Sequence, residues 1–264
     1  MYKKIYKSLF LIALVSFSSG CDDKKELQTR PKTNIINDKN DTNISKLIIP
    51  KIKIDENITK KVIKKNIVYR PSKDIVDKKA NFRNILVPII TSTYNQLQTQ
   101  YQDIKRDLNS SKNSEFIANL KIRYKVKTDQ ELLRAIKPHP ISIALSQAAA
   151  ESAWLTSRFT KNANNIFGVW SFDKNEPRIP ASGLRGDKII YLKKYKTLKL
   201  AVEDYYFSIG KSWAYDEFRK LRVKTDDPYL LIPHLKNYSE KKEEYTKMLG
   251  KILKYNKFDK FDVK

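Results

Sequence analysis

A mainly α (α+β) fold, with one β-hairpin set among helices and a disordered tether in front of them, is what this 264-residue sequence predicts. Three observations carry that prediction. Composition changes near residue 81, from a polar Lys/Asn/Asp/Thr-rich stretch to segments with a sustained apolar period. Beyond that point apolar residues recur at helical spacing almost to the end. The period lapses only between Gly168 and Tyr195, where extended segments flank a run of prolines and glycines.

In chain order, residues 1–20 read as a signal peptide. Lys3, Lys4 and Lys7 precede the apolar run Leu9–Phe17, and Ser18, Ser19 and Gly20 follow. The run is too short for a membrane-spanning helix of roughly 20 residues. The single cysteine, Cys21, comes directly after Gly20, a layout that resembles a bacterial lipobox although Ser18 stands where leucine is usual. Lipidation at Cys21 is therefore expected; the alternative is an ordinary cleaved signal with an incidental thiol. A lone cysteine also means no disulfide framework. Residues 21–80 then form a lipidated, largely disordered tether, because their composition cannot bury enough apolar area to offset chain entropy.

Helices follow over 81–260. Ile85, Ile89, Tyr94 and Leu97 start one stripe that runs on towards Leu108, and Phe116, Leu120 and Tyr124 start another. Thr128-Asp129-Gln130-Glu131 has the form of a capping box. Pro138 and Pro140 close that helix and open the next, predicted over Ile141–Leu155. Val169–Phe172 and Ile189–Tyr195 are the two extended segments, with Pro177, Pro180, Gly183 and Gly186 read as a loop between them. Helices resume at Leu200–Ile209, Tyr215–Leu221, Pro228–Leu235 (Asp227 capping) and Glu240–Tyr255.

Lys and Arg outnumber Asp and Glu by 53 to 29, a net charge of +24 that favours polyanions without choosing among them. No recognition-helix or zinc-finger pattern appears, and the export signal argues against nucleic acid. His139 and His234 lack ligand spacing, so no metal or cofactor is expected.

The chemistry points to Glu151. It stands late in an alanine-rich helix beside Trp154, where poor hydration and the negative end of the helix dipole both raise a carboxyl pKa. That suits proton donation near neutral pH. The alternative from the helix alone is a surface glutamate, or one paired with Arg158.

Glu151-Ser152-Ala153-Trp154, Thr156-Ser157-Arg158-Phe159 and Asn164-Asn165-Ile166-Phe167-Gly168-Val169-Trp170 together resemble the glucosaminidase domain of glycoside hydrolase family 73, in particular the Bax-type bacterial proteins. The likeness continues through Ala201–Tyr205, Ala214–Arg219, Tyr238-Ser239 and Glu244-Tyr245, and spans about 82–258. It implies a lysozyme-like helical lobe with a hairpin, a groove between them, and cleavage of the β-1,4 bond after N-acetylglucosamine in bacterial cell-wall glycan. Glu151 takes the general-acid position. Tyr238 matches a groove tyrosine that positions sugar or water. Asn164, Asn165, Phe167 and Gly168 match the turn into the hairpin, as groove wall or as turn builders. Trp170 is a candidate for stacking on sugar, with core packing as its alternative. Tyr191 falls near the place where the resembling proteins carry an acid. The second carboxylate of a glycosidase is thus unassigned, with Asp173, Glu176 and Asp187 nearby and Asp204 read as structural. The expected partners are the peptidoglycan glycan strand and, through Cys21, a membrane facing the periplasm. A lytic transglycosylase using one glutamate, or a non-catalytic wall-binding lipoprotein, stays open.

Overall fold

The computed structural model describes residues 75–262, apart from 111 and 186–187. The expected signal peptide, Cys21 and the tether up to residue 74 lie outside the described residues. No described helix is long and apolar enough to cross a membrane.

The helical lobe begins earlier than residue 81. Helix α1 runs Ile75–Ser110 and carries Pro88 on its exposed face. Helix α2, Ser114–Tyr124, ends at Lys125 in the left-handed region. The capping box forms as expected at the head of α3, Asp129–Ile136. Thr128 Oγ1 accepts the Glu131 N–H at 3.1 Å, and Glu131 Oε2 accepts the Thr128 N–H at 3.0 Å.

Helix α4, Ile141–Glu151, is buried on every side from Ile141 to Ala149. Its alanines and serines let α1 and the last long helix approach closely, which is how a helix apolar all round becomes the centre of a domain. It stops at Glu151, four residues short of the predicted end. Ser152 turns the chain: its hydroxyl donates to Ala148 O at 2.5 Å and accepts the Leu155 N–H at 2.8 Å. Ala153, Trp154 and Leu155 then all adopt positive φ, at 50°, 63° and 67°. Three consecutive non-glycine residues in that region store backbone strain, and packing holds them there. Leu155 is 1% exposed, and Trp154 meets Phe82 edge-on at 5.0 Å. Trp154 therefore serves the core. The short helix α5, Arg158–Ala163, follows with Ser157 as its cap.

The sheet differs from a single hairpin with a long loop. Strands β1 (Trp170–Ser171), β2 (Arg178–Arg185) and β3 (Lys188–Lys193) form an antiparallel sheet in the order β1-β3-β2. The expected pairing of the flanking segments exists, with Trp170 opposite Leu192 and Ser171 opposite Tyr191. The proline- and glycine-containing stretch between them is itself a strand. It tolerates Pro180 because it lies at the sheet edge and breaks register between Pro180 and Leu184.

Helix α6, Leu198–Lys211, is capped by Thr197. Its Gly210 lies so close to α3 that a Cβ there would meet Ala135 O at 2.5 Å. A 3₁₀ turn, Trp213–Tyr215, leads into α7, Asp216–Arg222. The buried Arg222 guanidinium donates to Arg134 O at 2.7 Å, satisfying a carbonyl at the end of α3. The predicted helix from Pro228 divides into α8, Pro228–Leu231, and a 3₁₀ segment, Ile232–Tyr238; Asp227 caps it as expected. Helix α9, Lys242–Asn256, and a 3₁₀ turn, Phe258–Phe261, complete the lobe and pack on α4.

Candidate active site

Glu151 is the last residue of α4, half-buried at the point where the lobe meets the strained turn. Tyr245 of α9 donates its hydroxyl to Glu151 Oε1 at 2.8 Å. Burial pushes the Glu151 carboxyl up to about 8, while the Tyr245 hydrogen bond pulls it partway back. Desolvation thus dominates, and the side chain is largely protonated at neutral pH. No described carboxylate contributes to that shift. Arg158, the sequence-level candidate for an ion pair, instead donates to Pro180 O at 2.8 Å and lies over the Phe159 ring.

Buried tyrosines pack together beside Glu151. Tyr238 and Tyr245 stack with centroids 5.7 Å apart and planes 3° from parallel. Tyr215 and Tyr205 close the group from the 3₁₀ turn and from α6. Burial raises the pKa of all four phenols, and the nearby Glu151 charge raises them further. They stay neutral, and the hydroxyls of Tyr205, Tyr238 and Tyr245 form hydrogen bonds.

The structure assigns the remaining candidates distinct places. Asn164 caps α5 in the left-handed region and donates to Tyr195 O at 2.9 Å. Asn165 is 2% exposed; its amide donates to Val169 O and Lys193 O and accepts the Val169 N–H, each at 2.9 Å. Both of its donor hydrogens are engaged by backbone, so it holds the turn together. Gly168 has φ 65°, a conformation that favours glycine. Phe167 is buried and stacks on Tyr205 at 3.9 Å and 6°, so it supports the tyrosine cluster. Tyr238 is also buried, and its hydroxyl donates to Phe167 O at 2.9 Å, tying the hairpin turn to the site. Trp170 lies half-buried on β1 with Phe172 6.2 Å away. Tyr191 on β3 is covered by the Arg178 guanidinium at 4.0 Å.

Of the carboxylates considered as a second acid, Asp204 accepts the Tyr195 hydroxyl at 2.7 Å and pairs with Lys193 at 3.1 Å, as a structural residue does. Glu176 lies 3.7 Å from the same lysine. Asp173 accepts the Asn175 N–H within its own turn. Asp187 lies outside the described residues. No group of three or more potential metal ligands occurs among the described residues.

Sequence reasoning passed over Tyr245 and Gln147 as individual residues. Gln147 stands one turn before Glu151 on the same face of α4; that spacing was the available signal.

The family described as mannosyl-glycoprotein endo-beta-N-acetylglucosaminidase matches residues 126–258. The chain is similar to Protein bax of Escherichia coli (strain K12), with 30% identity over 141 aligned residues covering 48% of this chain and 49% of that protein. It thus spans about half the length of that curated relative. Two solved structures are also similar. The peptidoglycan hydrolase from Sphingomonas sp. A1 has 18% identity and a TM-score of 0.39, over 48% of this chain and 86% of that one. The catalytic domain of the autolysin Auto from Listeria monocytogenes has 17% identity and a TM-score of 0.40, over 73% and 100%.

Proposed function

Since the chain belongs to the mannosyl-glycoprotein endo-beta-N-acetylglucosaminidase (glucosaminidase) family, we propose that it is a β-N-acetylglucosaminidase cleaving peptidoglycan glycan strands, with Glu151 as general acid. The observation that carries this reading is the state of Glu151: a helix-terminal carboxyl kept protonated near neutral pH by burial and oriented by the Tyr245 hydroxyl. Proton transfer to the glycosidic oxygen leaves Glu151 as a carboxylate, and the same phenol then stabilises the charge that forms. Tyr238 and the turn at Asn164–Gly168 shape the pocket around it, and Trp170 and Tyr191 present rings from the sheet.

The sequence supports a cell-wall substrate. The expected signal peptide and lipid anchor at Cys21 would hold the enzyme in the bacterial envelope, facing the periplasm. The +24 charge would draw it to the carboxylate-rich wall. A zymogram of purified wild type and Glu151→Gln on peptidoglycan tests the assignment. Clearing by wild type alone is expected; equal clearing by both would remove Glu151 from the mechanism.

A second reading, lytic transglycosylase, is favoured by one observation: no described carboxylate influences Glu151, whereas a retaining or inverting hydrolase ordinarily uses two. Mass spectrometry of the digest separates the two. Anhydromuramic ends identify the transglycosylase, and hydrated reducing ends the glucosaminidase.

A further inference from the structure

Tyr245 is the last link of a hydrogen-bonded chain that begins in the core. His139 Nε2 lies 2.8 Å from the Tyr205 hydroxyl. Tyr205 donates to Gln147 Oε1 at 2.6 Å, Gln147 Nε2 donates to the Tyr245 hydroxyl at 3.1 Å, and Tyr245 donates to Glu151 Oε1 at 2.8 Å. The four supporting residues are 0–1% exposed, so no bulk water competes for any link. They come from four places: the turn before α4, then α6, α4 itself and α9.

Such a chain has two self-consistent directions, because an amide can turn end for end and each hydroxyl has one hydrogen. The buried imidazole decides between them. His139 Nδ1 has no hydrogen-bond partner among the described residues. If that nitrogen carried the proton, a donor would be orphaned in the core; a bare ring nitrogen there costs less. His139 is therefore the Nε2–H tautomer and donates to Tyr205. Tyr205 must then donate to Gln147, whose amide end must face Tyr245, and Tyr245 is left with one hydrogen and one acceptor, Glu151 Oε1.

The geometry points to Tyr245, Gln147, Tyr205 and His139 as positioning residues that keep Oε1 of Glu151 an acceptor and so confine its transferable proton to Oε2. Only one of the two carboxyl oxygens can then hand over a proton. The carboxylate left behind already has its stabilising donor in place. The role in catalysis rests on the glucosaminidase reading above; the direction of the chain does not. His139 stays neutral because it is wholly buried, stacked on Tyr206 at 4.4 Å and edge-on to Tyr205 and Phe218, with the Arg222 charge adding to the effect. Among the described residues, the ionisable groups facing Glu151 are phenols: Tyr245 from α9, Tyr238 and Tyr215 from the 3₁₀ segments, and Tyr205 from α6.

The test is a carboxyl ¹³C NMR titration of glutamate-labelled protein, with the Glu151 resonance assigned by its loss in Glu151→Gln. If Tyr245 donates to the carboxylate, Tyr245→Phe shifts the Glu151 midpoint alkaline by about one pH unit. An acid shift means that Glu151 donates to Tyr245, and an unchanged midpoint means that the bond favours neither form; either overturns the proposal. Tyr205→Phe frees the Gln147 amide without touching Glu151, and a smaller alkaline shift is expected. No shift in that variant overturns the chain even if Tyr245→Phe does not fold. Kinetics supply the second readout: kcat falls about tenfold in Tyr245→Phe with KM within twofold, and the basic limb of the pH profile moves with the NMR midpoint. The titration needs no turnover, so an inactive protein showing the shifts keeps the chain while removing the glycosidase reading.

Discussion

Asp262 caps the helix that carries Glu151. Its Oδ1 accepts the Ser142 N–H at 2.8 Å and its Oδ2 accepts the Ser142 hydroxyl at 2.6 Å, across 120 residues of sequence. The local N-cap of α4 is Pro140, which offers no side-chain bond, so a residue beyond the final 3₁₀ turn performs the task. Phe258 anchors that turn, buried and stacked on Phe82. Asp262→Ala is expected to cost about 1–2 kcal/mol. That is a fall in Tm of about 3–6 °C for a folded unit of this size, measurable by calorimetry. Asp262→Asn keeps one acceptor and loses less. Equal Tm values for wild type and the alanine variant would mean that solvent caps the helix as well as Asp262 does.

The opposite end of this helix makes Glu151 a liability for stability. Its folded-state pKa of about 8 stands above the unfolded value of 4.5. Below 4.5 both states hold the proton and nothing is lost. As pH rises towards 8 the unfolded chain releases a proton that the folded chain retains, so stability declines. The fully buried limit is on the order of 4–5 kcal/mol, and the partial exposure of Glu151 to water reduces it to about 2–3 kcal/mol. Glu151→Gln is thus expected to match wild type in denaturant melts at pH 4 and to exceed it at pH 8. A variant less stable than wild type at pH 8 would contradict a buried, protonation-sensitive carboxyl.

Activity should follow the same group in the opposite role. A general acid works in its protonated form, so the logarithm of kcat/KM is expected to hold level up to a bend near pH 8 and then fall with unit slope. An oligomer of β-1,4-linked N-acetylglucosamine is a suitable soluble substrate. A profile that instead rises with pH towards 8 would show that Glu151 acts as a carboxylate base.

Asn165 separates substrate binding from turn building. With its three hydrogen bonds to Val169 and Lys193, Asn165→Ala should cost about 2–4 kcal/mol by leaving backbone groups unpaired. At temperatures where the variant stays folded, KM should stay within twofold of wild type. A tenfold rise in KM with unchanged Tm would return Asn165 to the sugar.

Much of this protein was legible where the physics is local. The capping box at Thr128 and Glu131 and the Asp227-Pro228 helix start are settled within four residues of chain, and both form as the sequence predicts. The alanine-rich helix that carries Glu151, and the Asn164–Gly168 turn that carries the family resemblance, could also be read in order. The β2 strand could not. Pro180 and Gly183 signal a loop until an edge position and a break in register accommodate them. Nor could the end of α4, because three left-handed residues are strained by themselves and hold only with Leu155 and Trp154 packed.

The sequence placed a glutamate late in an apolar helix, at an address that resists ionisation. Tertiary structure alone decided what that glutamate touches. Tyr245 lies 94 residues away, and Tyr205 and Gln147 are 58 residues apart. Their bonds form because three helices bury the same few polar groups together, and each buried donor must find an acceptor there. Helical periodicity reports which face of a segment is apolar. Which hydroxyl meets which carboxyl is decided only when the faces close.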